Sequence, residues 1–254
     1  MLTRFFLFSL TFLCTCTLSL TGCGKKNNGT YKIAFDPLWY PLDFKEKNSH
    51  VIGFSTELLS DVAKEESLYL SLLNTNWDSL LQGLQDNHYQ AILSSLYPYN
   101  FNLSQYDFSD VYLATGPVLL LPFSSTLQSL SDMESKEIGV LSGSSALLIT
   151  KLYPSIYVRT YEKDAQIIND LLIGRIDGAL LPILNAQTFV QGAFAKQLKI
   201  ATNPLNEEGL RLLTLKGKFP DFIKRFNKAL HTMEKNGQLL KLLEEWNLAA
   251  TKGA

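Results

Sequence analysis

The strongest constraint on the fold is a strand–helix alternation that runs, breaks at Gly116-Pro117 and starts again. Tyr31-Lys32-Ile33-Ala34-Phe35 is a short apolar-rich run stopped by Asp36-Pro37, which predicts a strand entering a loop. Leu58, Leu59, Val62 and Ala63 recur at helical spacing behind Gly53-Phe54 and a Ser/Thr cap, predicting a helix over 55–64. A strand over 69–73, a helix capped by Asn76 and a strand at Ala91-Ile92-Leu93 complete a βαβαβ unit. After Gly116-Pro117 the pattern restarts: strand 137–141, helix 146–153 stopped by Pro154, strand 156–160, helix 164–173 and strand 178–181. From Pro220 the chain reads as two helices separated by Asn236-Gly237. Such alternation predicts open, mainly parallel sheets covered by helices, in two units.

The N-terminus needs separate treatment. Arg4 precedes an apolar or hydroxylated run over 5–20, closed by Leu20-Thr21-Gly22-Cys23. That run is short for a spanning helix and suits a secretory segment ending at small residues. A small residue, Gly and Cys in this position resemble the lipobox of bacterial lipoproteins. The resemblance implies that residues 1–22 are a signal peptide and that Cys23 carries acyl chains such as palmitate. Residues 24–29 read as a polar spacer.

Cysteine usage agrees with that reading. Cys14 and Cys16 fall inside the segment to be removed, so the body has no thiol for a disulfide, nucleophile or metal site. Without Arg4 the 23 basic residues become 22 against 24 acids, a charge of −2. Near-neutrality excludes a nucleic-acid partner, which demands a basic face. His50, His88 and His231 have no metal-ligand spacing, so neither metal nor cofactor is expected.

One ordered set of short motifs spans the body. It comprises Asp36 with aromatics behind it, Gly53-Phe54-Ser55-Thr56-Glu57-Leu58, Asn76-Trp77-Asp78 and Ile92-Leu93-Ser94-Ser95. Asp107-Phe108-Ser109-Asp110, Ile138 to Ser145, Gly174 to Ala179 and Glu245-Trp246 follow. Together they resemble the polar amino-acid family of extracytoplasmic solute-binding proteins, the receptors of ABC importers. The resemblance implies a two-lobed α/β fold of periplasmic-binding-protein type II with two hinge crossovers. Lobe 1 would be 30–115 plus 205–254, and lobe 2 118–200. A small ligand (an amino acid, a derivative or a short peptide) would sit between them. A membrane permease would be the partner, and a lipid-anchored monomer on the extracytoplasmic side, facing the periplasm in a Gram-negative cell, would do the binding.

Candidate ligand-binding residues are Asp36, Trp39, Trp77, Ser94, Ser95, Tyr97, Asn102, Gly143, Ser144 and Ser145. Most lie where strands end, which is where open α/β sheets take ligands. Gly143-Ser144-Ser145 either receives an anion on free N–H groups and hydroxyls or merely caps a helix. Asp36 either pairs with a ligand cation or makes a turn with Pro37. Trp39 or Tyr40 and Trp77 either line the first lobe's wall or fill its core.

The departures from the family pattern are as informative as the matches. The family places an arginine about seven residues after the Ser-Ser pair, where it forks onto the ligand carboxylate; Asn102 stands there. No Lys or Arg occurs between Lys64 and Lys136. The family's ammonium-binding acid is replaced by Leu181-Pro182-Ile183, with no acid from there to Glu207. A free α-amino acid in the usual pose would then lack both charged anchors and bind weakly, and the cleft is expected to be neutral and apolar, lined by Tyr97, Tyr99 and Phe101. The alternative is a sensor or interaction protein on the same fold, and behind it a dehydratase-like enzyme. No nucleophile elbow or paired strand-end carboxylates favour catalysis, so no enzyme is expected.

Overall fold

The structure, a computed structural model, describes residues 30–40 and 42–249. The expected secretory segment, Cys23 and the expected spacer lie outside the described residues. Two sheets carry the architecture. The first is built from β1 (Tyr31–Phe35), β2 (Leu70–Asn74), β3 (Ala91–Ser94), β4 (Tyr106–Phe108), β5 (Leu113–Ala114) and β11 (Gly209–Leu215). Its order is β2-β1-β3-β11-β4, with β5 also pairing β11. The second contains β6 (Pro117–Pro122), β7 (Glu137–Leu141), β8 (Tyr157–Tyr161), β9 (Gly178–Pro182) and β10 (Leu198–Ile200), in the order β10-β6-β9-β7-β8. The chain leaves the first sheet after Ala114 and joins the second at Pro117. It leaves the second after Ile200 and rejoins the first at Gly209.

Parallel pairing is confined to three strands in each sheet, β2-β1-β3 and β9-β7-β8. Strands that follow a crossover run antiparallel to their neighbours: β6 against β9 and β10, and β11 against β3, β4 and β5. The sheets are therefore mixed, where the βα alternation predicted mainly parallel ones. A returning strand has no helix to carry it back to the starting edge, so it inserts in the reverse sense.

Helices α1 (Asn48–Glu65), α2 (Trp77–Gln85) and α3 (Asn100–Leu103) accompany the first sheet, with α7 (Pro220–Lys235) and α8 (Gln238–Glu245). The second has α4 (Ala146–Thr150), α5 (Asp164–Leu172) and α6 (Ile183–Gln191). α7 packs on α1, β4 and β11, burying Phe222, Phe226, Ala229, Leu230 and Met233 along one face. That apolar stripe drives its docking, at about 25 cal/mol for each Å² removed from water. α1 starts seven residues earlier than its Ser/Thr cap suggested. Gly53 sits inside it because the Trp246 ring lies against its Cα, where any Cβ would overlap. α4 stops three residues short of Tyr153. Among the described residues, no helix is long and apolar enough to cross a membrane.

Candidate functional site

A cavity of about 820 Å³ opens between the two sheets. The first sheet's side contributes Phe44, Lys45, Ser95, Tyr97 and Thr115, and the second's contributes Leu141, Gly143, Ser144, Ser145, Asp164, Pro182 and Asn185. Glu208 and Gly209, at the return crossover, also line it. Ser95, Gly143 and Pro182 stand at or just past the carboxyl ends of the parallel strands β3, β7 and β9. The volume suits a small organic molecule.

The expected site residues separate into groups. Ser95, Tyr97, Gly143, Ser144 and Ser145 line this cavity. Asp36, Trp39, Trp77, Ser94 and again Ser95 surround a much smaller space of about 10 Å³. That is room for a single water. Asp36 is buried and makes the turn: its Oδ1 accepts from Leu38 N–H at 2.9 Å, and its carbonyl from Trp39 N–H at 2.9 Å. Trp39 packs between Phe35 and Phe44, with a left-handed φ of +57°. Its Nε1 is buried with no partner among the described residues. Trp77 meets Tyr40 edge-on with centroids 5.8 Å apart. Ser94 Oγ accepts from Leu96 N–H at 3.1 Å, bracing the start of the loop.

Asn102 does not reach the cavity. It is buried, and its Nδ2 donates to Tyr97 O at 2.7 Å. It braces the loop that presents Tyr97. The aromatic crowd predicted to line the cleft is also reduced to one ring. Tyr97, Tyr99 and Phe101 form a ladder with centroids 4.7 and 5.6 Å apart, but Tyr99 and Phe101 are more than half exposed and only Tyr97 faces the cavity. In the second sheet's turn, Ser144 Oγ donates to Leu141 O at 2.8 Å, and α4 behind it is only five residues long. The turn therefore offers neutral donors without the dipole of a long helix.

Several charged groups at the cavity were missed, because no local motif marks them. Lys45, in a single 3-10 turn between β1 and α1, pairs its Nζ with Asp164 Oδ2 at 2.6 Å. Asn185 Nδ2 donates to the same oxygen at 2.9 Å. Beside them, buried Lys47 donates to Gln191 Oε1 (3.0 Å) and Asn247 O (2.6 Å), and burial holds its ammonium below the usual lysine range. Asp43, Glu162, Asp164 and Glu208 line the cavity against Lys45 and Lys163, four carboxylates facing two ammonium groups. The cleft is thus acidic, where the sequence suggested a neutral one. Among the described residues, no arginine lines it. Arg211, the one arginine of β11, turns its guanidinium onto Ser109 O (3.3 Å) and Glu207 O (3.0 Å), and burial lowers its pKa.

Residues 31–249 match the model of the bacterial extracellular solute-binding proteins, family 3. The chain belongs to this family. It is 27% identical over 239 residues to the arginine-binding extracellular protein ArtP of Bacillus subtilis, covering 91% of this chain and 93% of that protein. It is 26% identical to the L-cystine-binding protein TcyJ of Escherichia coli, covering 87% and 84%. These relatives are named as binding proteins, in keeping with the solute-binding description of the family. Among solved structures, the unliganded open L-cystine receptor of Neisseria gonorrhoeae superposes with a TM-score of 0.70 at 20% identity, over 87% of this chain and 93% of that one. The second substrate-binding domain of Lactococcus lactis GlnP, also open, gives 0.66 at 16%, over 89% and 97%. Both likenesses establish the two-lobed α/β fold.

Proposed function

We propose that this chain is the receptor of an amino-acid-type ABC importer, capturing a small solute between lobe 1 (30–115 plus 205–254) and lobe 2 (118–200). The observation that carries the reading is the cavity lined from both sheets at strand carboxyl ends, where Ser95 and Tyr97 oppose Gly143, Ser144 and Ser145. Relatives named for arginine, cystine and histidine favour an amino acid, an amino-acid derivative or a short peptide as the ligand. The anchors are atypical: Asn102 braces a loop where the family's arginine would stand, and Pro182 ends β9 where the family's acid would stand. Leu20-Thr21-Gly22-Cys23 supports lipid anchoring on the extracytoplasmic side, from where the chain, as a monomer, would deliver its ligand to a membrane permease. Two or more acyl chains at roughly 0.8 kcal/mol per buried CH₂ would keep it on the membrane. Cys23→Ser should abolish fatty-acid labelling, and persistent labelling would refute the anchor.

The test of the binding reading is a thermal-shift screen of the full chain against amino acids, amino-acid amides, N-acetyl amino acids and dipeptides. A bound ligand stabilises by RT ln(1 + [L]/Kd), so millimolar solute should register even a modest affinity. No saturable shift across the panel would refute it. A second reading, a ligand-responsive sensor or interaction protein, is favoured by the lack of arginine in the lining. It would retain the thermal shift but fail to restore solute uptake with any permease.

A further inference from the structure

We infer that Glu208 is the carboxylate that receives the ligand's ammonium group, in place of the acid missing at the end of β9; this rests on the receptor reading above. Pro182 and Glu208 flank the same short segment of the outgoing crossover. On one side, Ile183 N–H donates to Gly116 O at 3.0 Å and Pro117 is the register partner of Pro182. On the other, Thr115 N–H donates to Glu208 O at 2.9 Å. Backbones paired in this way lie about 4.8 Å apart. A carboxylate moved from position 182 to position 208 therefore lies across the intervening crossover segment, about 10 Å away, and still serves the same hinge end of the cavity.

Three further features support Glu208 in this role. Its backbone is fixed: Asn206 Oδ1 accepts from its N–H at 3.1 Å, and Arg211 Nη2 donates to the preceding carbonyl, Glu207 O, at 3.0 Å. Arg211 thereby holds the crossover residue while keeping its own charge on backbone oxygens. The Glu208 carboxylate itself is half-buried and makes no ion pair or hydrogen bond among the described residues; Asp164 is occupied by Lys45 and Asn185, Asp43 accepts from Lys45 N–H at 3.0 Å, and Glu162, also without a partner among the described residues, is exposed. The lining as a whole has an excess of two negative charges, which favours a cationic group and opposes a second carboxylate. With no guanidinium among the described lining residues to clamp a carboxylate, the fitting class is a primary ammonium compound whose own carboxylate is blocked or distant, such as an amino-acid amide or a dipeptide.

The experiment compares wild type, Glu208→Gln and Glu208→Asp by titrating each amino-acid amide, free amino acid and N-acetyl amino acid of the panel. Wild type should bind amides at least as tightly as the free acids and prefer both to the N-acetyl forms. Glu208→Gln should weaken binding of the best amine by roughly 10–100-fold and erase its preference over the N-acetyl form, with Glu208→Asp in between. The ligand-free melting temperature should hardly move, since the carboxylate supports no contact in the fold. Unchanged amine affinity in Glu208→Gln, or equal binding of amine and N-acetyl forms by wild type, overturns the assignment and leaves the receptor reading standing. If no compound binds wild type, both fall.

Discussion

The two sheets are joined at two places built on different principles. At the crossovers the join is backbone: Gly209 pairs with Ala114, Thr115 N–H donates to Glu208 O at 2.9 Å, and Leu205 N–H donates to Pro117 O at 2.9 Å. Beside the 3-10 turn the join is side chain. Lys45 reaches Asp164, Lys47 reaches Gln191, and Gln187 donates to Leu248 O at 3.1 Å, over an apolar patch that includes Phe44, Leu184 and Leu248. Backbone pairing persists through small rotations, whereas long side chains let go one at a time. Opening of the cavity, on this account, breaks the second junction and bends the first.

The largest effect should come from the backbone junction. At Gly209 an added Cβ would overlap Val111 and lie 2.6 Å from Leu113 O, with backbone on the far side unable to yield. Gly209→Ala should cost about 3 kcal/mol in denaturant unfolding, the upper part of the range for overpacking. A cost near zero would show that the crossovers are loosely held. Next comes Lys47→Met, which keeps the apolar stem but strips the donor from Gln191 and Asn247. The expected loss is about 1–2 kcal/mol at neutral pH. Because burial lowers the Lys47 pKa below its unfolded value of 10.5, the unfolded chain binds the extra proton in that window. Wild-type stability should therefore rise with pH between the folded pKa and 10.5 relative to Lys47→Met, and a constant difference between the two would contradict the assignment.

Lys45→Ala should be smallest in stability, about 1 kcal/mol or less, since the lysine end of the pair is nearly half exposed. Its signature is conformational. Spin labels on the two lobes should report a wider ligand-free separation than in wild type, and identical distances would mean that the apolar patch alone holds the lobes.

Much of the fold was legible because period and punctuation agreed. Ile33 to Phe35, Ala91 to Leu93 and Ile138 to Val140 are short apolar runs with turn signals beyond them, and all are buried strands. The start of α1 was illegible because Gly53 reads as a break until Trp246, nearly two hundred residues later, covers it. The cavity lining was legible where strands end, at Ser95, Tyr97 and Gly143 to Ser145. It was illegible where a residue's role depends on a distant partner. Asn102 looked like a ligand contact and braces Tyr97. Trp39 looked like a wall and is core. Glu208 had no motif at all, since only the pairing of two crossovers brings it to the same hinge end as Pro182.

The most direct test of the account is a crystal structure of the chain grown with the compound that gives the largest thermal shift. The account predicts that compound between the lobes, touching Tyr97, the Gly143 to Ser145 turn and Glu208. A compound seated instead in the groove of about 680 Å³ between β4 and α7, against Lys216, Lys224 and His231, would contradict it.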